Sequence, residues 1–125
     1  QLGRVDDDIR ARVRYAGIYH AGLSDLPDVV CPPLRTDFSH TYTHFPLQVP
    51  DRKDLLRYMM RERRDCAAQH LHNCADLECF AEFHRDCPNA RKTAASVVLL
   101  PTYPRYSERD VTRNVEVIRR YFGRA

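Results

Sequence analysis

The chain lacks any window approaching the run of about eighteen apolar residues that a bilayer-crossing helix requires, and no charged-then-apolar leader opens it. Helical membrane-spanning functions are thereby excluded. It also lacks a polybasic tract. Its twenty basic and seventeen acidic residues are spread through 125 positions for a net charge of +3, and Arg61, Arg63 and Arg64, interrupted by Glu62, read as a solvated helix end. The charge footprint of a nucleic-acid or membrane-surface binder is missing. Lysine is scarce: only Lys53 and Lys92 occur, both in stretches that read as solvated helix faces. A lysine there stays protonated and is a poor nucleophile unless desolvated or placed beside another cation. There is no C-x-x-C pair, and five cysteines leave one unpaired in any disulfide scheme, so reduced thiols in a cytoplasmic setting are the simplest account. No internal repeat or low-complexity segment appears. The chain opens at Gln1 without a Met and inside a helical pattern, and is therefore expected to be part of something longer.

What is present is most explicit in the last quarter, Val97 to Phe122. Val97, Val98, Leu99 and Leu100 form a β-branched and aliphatic run ended by Pro101, which predicts a short buried strand. Pro104 fixes a turn. Ser107 and Asp110 form an S-x-x-D capping box, after which Val111, Val115, Ile118 and Phe122 recur at helical spacing on one face. That face must pack on something, and the preceding strand is the nearest partner in sequence. Upstream, Leu2, Val5, Ile9, Val13, Ala16 and Leu23 mark one stripe of a helix from about Gln1 to Ala21, with Gly22 as its stop. Asp6 with Arg10 and Asp8 with Arg12 are the ion pairs that spacing permits.

Leu26 to Pro33 reads as a turn, a brief extended piece and a break. His40 to Val49 alternates as a strand, with Thr43, Phe45, Leu47 and Val49 on one face and Tyr42, His44, Pro46 and Gln48 on the other; Pro46 makes it an edge strand. Asp51 caps a helix with Leu55, Leu56, Met59 and Met60 inward and Asp54 at the reciprocal capping position. Cys66 to Leu71 is a further extended segment. Leu77, Phe80, Ala81 and Phe83 suit one side of a short helical turn, and Pro88 starts a helix with Ala90, Ala94, Ala95 and Val98 inward. The fold class predicted is α+β: a small, mostly antiparallel sheet of about three strands covered by helices, with a long N-terminal and a C-terminal helix.

The particular strings are more specific than the pattern. A run ending Leu99-Leu100-Pro101, then Tyr103-Pro104 and Ser107-Glu108-x-Asp110-Val111, resembles the C-terminal end of the DegT/DnrJ/StrS family of pyridoxal-phosphate sugar aminotransferases, which share the aspartate aminotransferase fold type I. The Gln1-Leu2 opening of the first helix, the His44-to-Val49 strand, the Arg52-to-Arg61 helix and Gln69-His70-Leu71-His72 match that family's small domain in order along nearly the whole chain. The resemblance implies a single C-terminal domain, residues 1–125, of a longer enzyme whose large cofactor-binding domain is absent. That parent would be a homodimer that converts a nucleotide-linked keto-sugar to an amino sugar, with glutamate as donor. The Schiff-base lysine, the aspartate at the pyridine nitrogen and the phosphate cup belong upstream, so the fragment itself is expected to hold no cofactor, no catalytic residue and no activity.

The same resemblance implies substrate contacts at His70, His72 and Asn73, with His44 on a neighbouring strand. Leu71 and His72 replace the family's usual Tyr-Pro, and Ala75 or Asp76 stands where a second His is often found. A different reading uses the same stretch. Cys66, His70, His72, Cys74, Cys79, His84 and Cys87 are seven soft ligands within twenty-two residues, and a stand-alone binding module organised by zinc is the alternative they allow. The favoured reading is that Cys66, Cys74 and Cys79 are small buried apolar groups and the histidines exposed or hydrogen-bonded, and no metal site is assigned.

Overall fold

A computed structural model of the chain describes residues 2–68 and 72–123. Helix α1, Val5–Leu23, follows a 3-10 turn at Leu2–Arg4; β1 is His44–Gln48, α2 Arg52–Arg61, α3 Pro88–Ser96, β2 Val97–Pro101 and α4 Glu108–Tyr121, with 3-10 turns at Cys74–Asp76 and Glu78–Phe83 before α3. Gln1 and the side chain of Leu2 lie outside the described set. The α+β class holds.

The sheet is a β1–β2 antiparallel pair in which Phe45 faces Leu100 and Leu47 faces Val98. Among the described residues it has two strands, roughly in line with the about three expected, and single antiparallel bridges extend both edges, Val30 to Gln48 and Ala67 to Leu99. The Val49 amide donates to the Ser96 carbonyl at 3.0 Å. In this register the amides of Phe45 and Leu47 therefore turn toward β2, and those of residues 46 and 48 turn away. The missing N–H of Pro46 thus costs no bond to β2, which is why proline is tolerated at this edge. Phe45, Leu47 and Val49 are buried as the alternation predicts. Tyr42 is not on the open face: it precedes the strand with φ 44, is buried, and its hydroxyl donates to the Pro33 carbonyl at 3.0 Å and accepts from the Arg35 amide at 2.7 Å.

Helix starts follow the chemistry of their caps. The Asp51 side chain accepts from the Asp54 amide, and Ser107 Oγ accepts from the Asp110 amide at 3.1 Å while donating to the Asp110 carboxylate at 2.6 Å. Asp54 spends its own carboxylate on the Tyr121 hydroxyl instead, at 3.0 Å. Helix α2 closes as a Schellman turn, and α4 ends with the Gly123 amide donating to the Arg120 carbonyl at 3.0 Å. Gly123 takes the left-handed position after α4 at φ 71, but Arg63 holds it after α2 at φ 54. There the Arg64 amide reaches the Met59 carbonyl and the Arg63 amide the Met60 carbonyl.

Helix α4 lays its apolar face against α1 and α2 rather than mainly on β2, which α2 covers. Val111, Val115, Val117 and Ile118 are buried with Val13, Ala16, Tyr19, Leu23, Leu55 and Met59 in one core. Each large apolar side chain so buried contributes about 1.5–3 kcal/mol relative to exposure. Gly22 is no stop: α1 continues through Leu23, and Gly22 is where the two helices touch, a Cβ there falling 2.4 Å from Val115 Cγ1. The stripe of α1 is also rotated from the one predicted. Tyr15 and Tyr19 are buried and Val5 is exposed. Tyr19 donates to the Pro101 carbonyl at 3.1 Å and stacks near Phe45, ring centroids 5.3 Å apart. It also accepts from Asn114 Nδ2 at 2.9 Å. Fully buried Asn114 also donates to Tyr106 Oη at 3.1 Å.

Other expectations fail for identifiable reasons. Arg10 pairs with Asp7 rather than Asp6, and Arg12 donates to the Thr43 carbonyl at 3.0 Å instead of meeting Asp8. Met60 is 72% exposed, because α2 is covered on one side only. In α3 no residue is buried; Ala90 and Ala95 are exposed, and Val98 belongs to β2.

Two substitutions test this packing. Gly22→Ala gains about 1 kcal/mol of helix propensity but drives a methyl into a stiff β-branched neighbour, an overpacking cost of about 1–3 kcal/mol. Net destabilisation by about 1 kcal/mol in urea unfolding is expected, relieved when Val115→Ala is added; stabilisation would contradict the close approach. Arg63→Gly removes a side chain from the left-handed region and should stabilise by about 0.5–1 kcal/mol, read in the same assay.

Candidate functional site

The segment from His72 to Asp86 carries most of the predicted ligand chemistry, and none of its residues is buried. Its sequence explains this. Apolar residues are few and without helical or strand period, and Pro88 can open a new helix but cannot extend an old one. Two 3-10 turns result. Leu77, Phe80 and Phe83 do line the outside of the second, but 37%, 45% and 69% exposed, so they do not tie it to the core.

Charged groups shape the segment instead. From the first turn of α3, Arg91 sends Nε and Nη2 to the two oxygens of Asp76, at 2.9 and 2.7 Å. Its Nη1 reaches Asp86 at 3.0 Å. This is the planar two-point geometry that guanidinium and carboxylate share. Asn73 Nδ2 donates to the same Asp76 at 2.8 Å. His84 Nδ1 lies 2.8 Å from the Ala75 carbonyl, where it must carry the proton and donate. The Arg91 hydrogen bonds first, then that of Asn73, pull the Asp76 carboxyl down to about 2.

Of the residues predicted to touch substrate, His70 lies outside the described residues. His72 is exposed and Asn73 half-buried, the latter already engaged with Asp76. His44 opens β1 opposite Pro101 and is exposed, whereas the stretch leading to His72 leaves from Ala67 on the outer edge of β2. The structure thus places Asn73 in a defined network and His44 on a different edge of the sheet. The Arg91 network was missed in the sequence because its partners stand five and fifteen residues away with no periodic signature. The one available signal was an arginine near the start of a proline-initiated helix behind a run containing two aspartates.

All five cysteines are free. Burial pushes the Cys31 and Cys66 thiols up to about 11, which makes them inert at neutral pH. Cys74 and Cys79 are exposed, contrary to their reading as buried groups. Among the described residues no three His, Cys, Asp or Glu side chains come together in a way that could hold a metal ion. Lys53 and Lys92 are exposed. Neither stands in the desolvated setting that a Schiff-base lysine requires. No helix among them is long and apolar enough to cross a membrane.

With this geometry established, comparison with known proteins gives a consistent result. A model of the DegT/DnrJ/EryC1/StrS aminotransferase family matches residues 1–119. The spore coat polysaccharide biosynthesis protein SpsC of Bacillus subtilis (strain 168) is 26% identical over 132 aligned residues, covering 95% of this chain and 33% of that protein. The crystal structure of the sugar aminotransferase CalS13 from Micromonospora echinospora superposes with a TM-score of 0.85 at 25% identity, over 95% of this chain and 32% of the other. DesI, solved in the presence of its TDP-sugar product, superposes at 0.82 and 22% identity, over 98% and 33%. The chain therefore spans about a third of the length of the relatives it matches.

The lowered Asp76 pKa gives a signed expectation. A carboxylate whose folded pKa lies below its ordinary 3.8 contributes order that is complete above that value and is lost as pH falls toward about 2. A carboxyl-carbon NMR titration should place the Asp76 midpoint near 2; a midpoint at the ordinary value would show that the Arg91 contact is not made in solution.

Proposed function

We propose, from the premise that the chain belongs to the DegT/DnrJ/EryC1/StrS aminotransferase family, that it is the C-terminal domain of a pyridoxal-phosphate enzyme that aminates a nucleotide-linked keto-sugar in amino-sugar biosynthesis. The single observation that carries this reading is the family match over residues 1–119. Two relatives add support: CalS13 is a sugar aminotransferase, and DesI was solved in the presence of its TDP-sugar product. The cofactor, the parent's homodimeric state, glutamate as donor and a cytoplasmic setting are what family membership suggests.

In this reading the chain supplies no covalent chemistry. Its two lysines are exposed on helix faces, and the amine that engages the cofactor is supplied by a part of the parent enzyme outside residues 1–125. The chain's own work is to bind and orient. His70, His72 and Asn73 offer ring nitrogens and an amide to the hydroxyl and carbonyl groups of a sugar; His44, exposed at the start of β1 on another edge of the sheet, is a further candidate. Such polar groups discriminate a hydroxyl-bearing substrate strongly, because a partner that lacks the hydroxyl leaves them unpaired.

In a family-length enzyme carrying this domain, His70→Ala and His72→Ala should each raise KM for the keto-sugar nucleotide about tenfold, or about 1.4 kcal/mol, with kcat within a factor of about two. Steady-state kinetics on both variants check this. An unchanged KM in both would remove these residues from the substrate site.

A further inference from the structure

We propose that Arg91 is a positioning residue for the substrate, acting through Asp76 and Asn73. This rests on the reading above, in which the segment around His72 and Asn73 meets the sugar nucleotide.

The observations are geometric. The segment from His72 to Asp86 has no buried side chain, and its large apolar residues Leu77, Phe80 and Phe83 point outward. The hydrophobic core therefore cannot define its conformation. A polypeptide stretch of this length left to itself loses about 1–2 kcal/mol per residue in backbone entropy when it is fixed, and a polar clasp must oppose that loss. Arg91 is placed to do so. One guanidinium spans both halves of the segment, gripping Asp76 at its start by two hydrogen bonds and Asp86 at its end by a third. Asp76 then passes the constraint to the proposed substrate residue, because its carboxylate also accepts from Asn73 Nδ2 at 2.8 Å. Asn73 is thereby held in one amide orientation, with its carbonyl oxygen turned away from Asp76. Arg91 itself sits in the first turn of α3, and Arg52 of α2 ties that helix to the body of the domain by donating to the Ala94 carbonyl. The chain of constraint runs from α2 through α3 and Arg91 to Asp76 and Asn73.

A lysine cannot reproduce this. It offers a point charge where the guanidinium offers a rigid fork to two carboxylates at once. Because the Arg91 side chain is 48% exposed and bonds to Asp76 and Asp86 of the surface segment, its removal should leave global stability almost unchanged, within the about 0.5 kcal/mol typical of surface positions.

The test has two arms. In the 125-residue chain, hydrogen exchange of peptides covering residues 73–86 is measured for the wild type, Arg91→Ala and Arg91→Lys, alongside thermal unfolding. In a family-length enzyme carrying the domain, KM and kcat for the keto-sugar nucleotide are measured for the same three proteins. The expected result is exchange faster by about fivefold or more across 73–86 in Arg91→Ala, an intermediate value in Arg91→Lys and an unchanged Tm. KM should rise about fivefold with kcat preserved, and Arg91→Lys should recover part of the loss. Unchanged exchange would overturn the proposal by showing that Arg91 does not hold the segment. Faster exchange with unchanged KM would also overturn it. The His72→Ala result then separates the causes: if that variant still raises KM, the substrate reading stands and only the positioning role falls, whereas if it does not, the substrate reading falls as well.

Discussion

The seam between α1 and α4 is the constraint on which the rest of the domain depends. At Gly22 the helices approach until a single added carbon would strike Val115. Beside that contact Arg119 donates to the Gly22 carbonyl and to Asp25, both at 2.7 Å. Within one turn of it Asn114 of α4 donates to Tyr19 of α1. The apolar contacts supply most of the free energy, but they tolerate sliding. The Asn114 pair does not, because a displaced helix would leave buried polar atoms unpaired at about 1–3 kcal/mol each. Tyr19 carries this specificity onward by donating to the Pro101 carbonyl at the end of β2. Thr102, next in sequence, shares its one hydroxyl proton between the carbonyls of Tyr42 and Thr43 just before β1. One polar thread thus fixes both strands relative to both long helices.

Away from that core the domain is held by different physics. Segment 72–86 relies on charge-assisted hydrogen bonds at the surface, where water competes and opening is easy. This division suits the proposed role. A rigid body of helices and sheet presents a peripheral segment whose side chains are placed by a few replaceable bonds, and such low-stability elements are where ligand contacts concentrate. The same division explains why burial alone gives no sign of the site.

What was legible in the sequence follows from which interactions are local. The caps at Asp51 and Ser107, the inward face Phe45, Leu47 and Val49, the edge role of Pro46 and the stripe of α4 are all set within a few residues, and each is found where the spacing puts it. Asn114 sits within the apolar spacing of Val111, Val115 and Ile118, so its burial could have been read there; its partner could not. Gly22 has the composition of a helix stop, but its use as a close-approach point depends on α4, ninety residues away. Tyr19 and Tyr42 were overlooked because aromatic hydroxyl groups read as surface until their distant acceptors are known. In the candidate site, the ligand-bearing stretch was visible by composition, whereas its organisation around Arg91 was not. Arg91, Asp76 and Asp86 meet because the chain returns on itself across the second 3-10 turn, where His84 comes back to the Ala75 carbonyl.

For a chain of this aminotransferase family that spans a third of its relatives, the proposal to test is that the domain orients substrate while the amine that engages the cofactor is supplied from outside residues 1–125. Borohydride reduction of the chain after incubation with equimolar pyridoxal phosphate, followed by peptide mass spectrometry, tests it most directly. The account predicts no stoichiometric pyridoxyl adduct at either Lys53 or Lys92. A single adduct at one of them, formed to completion at equimolar cofactor, would contradict it.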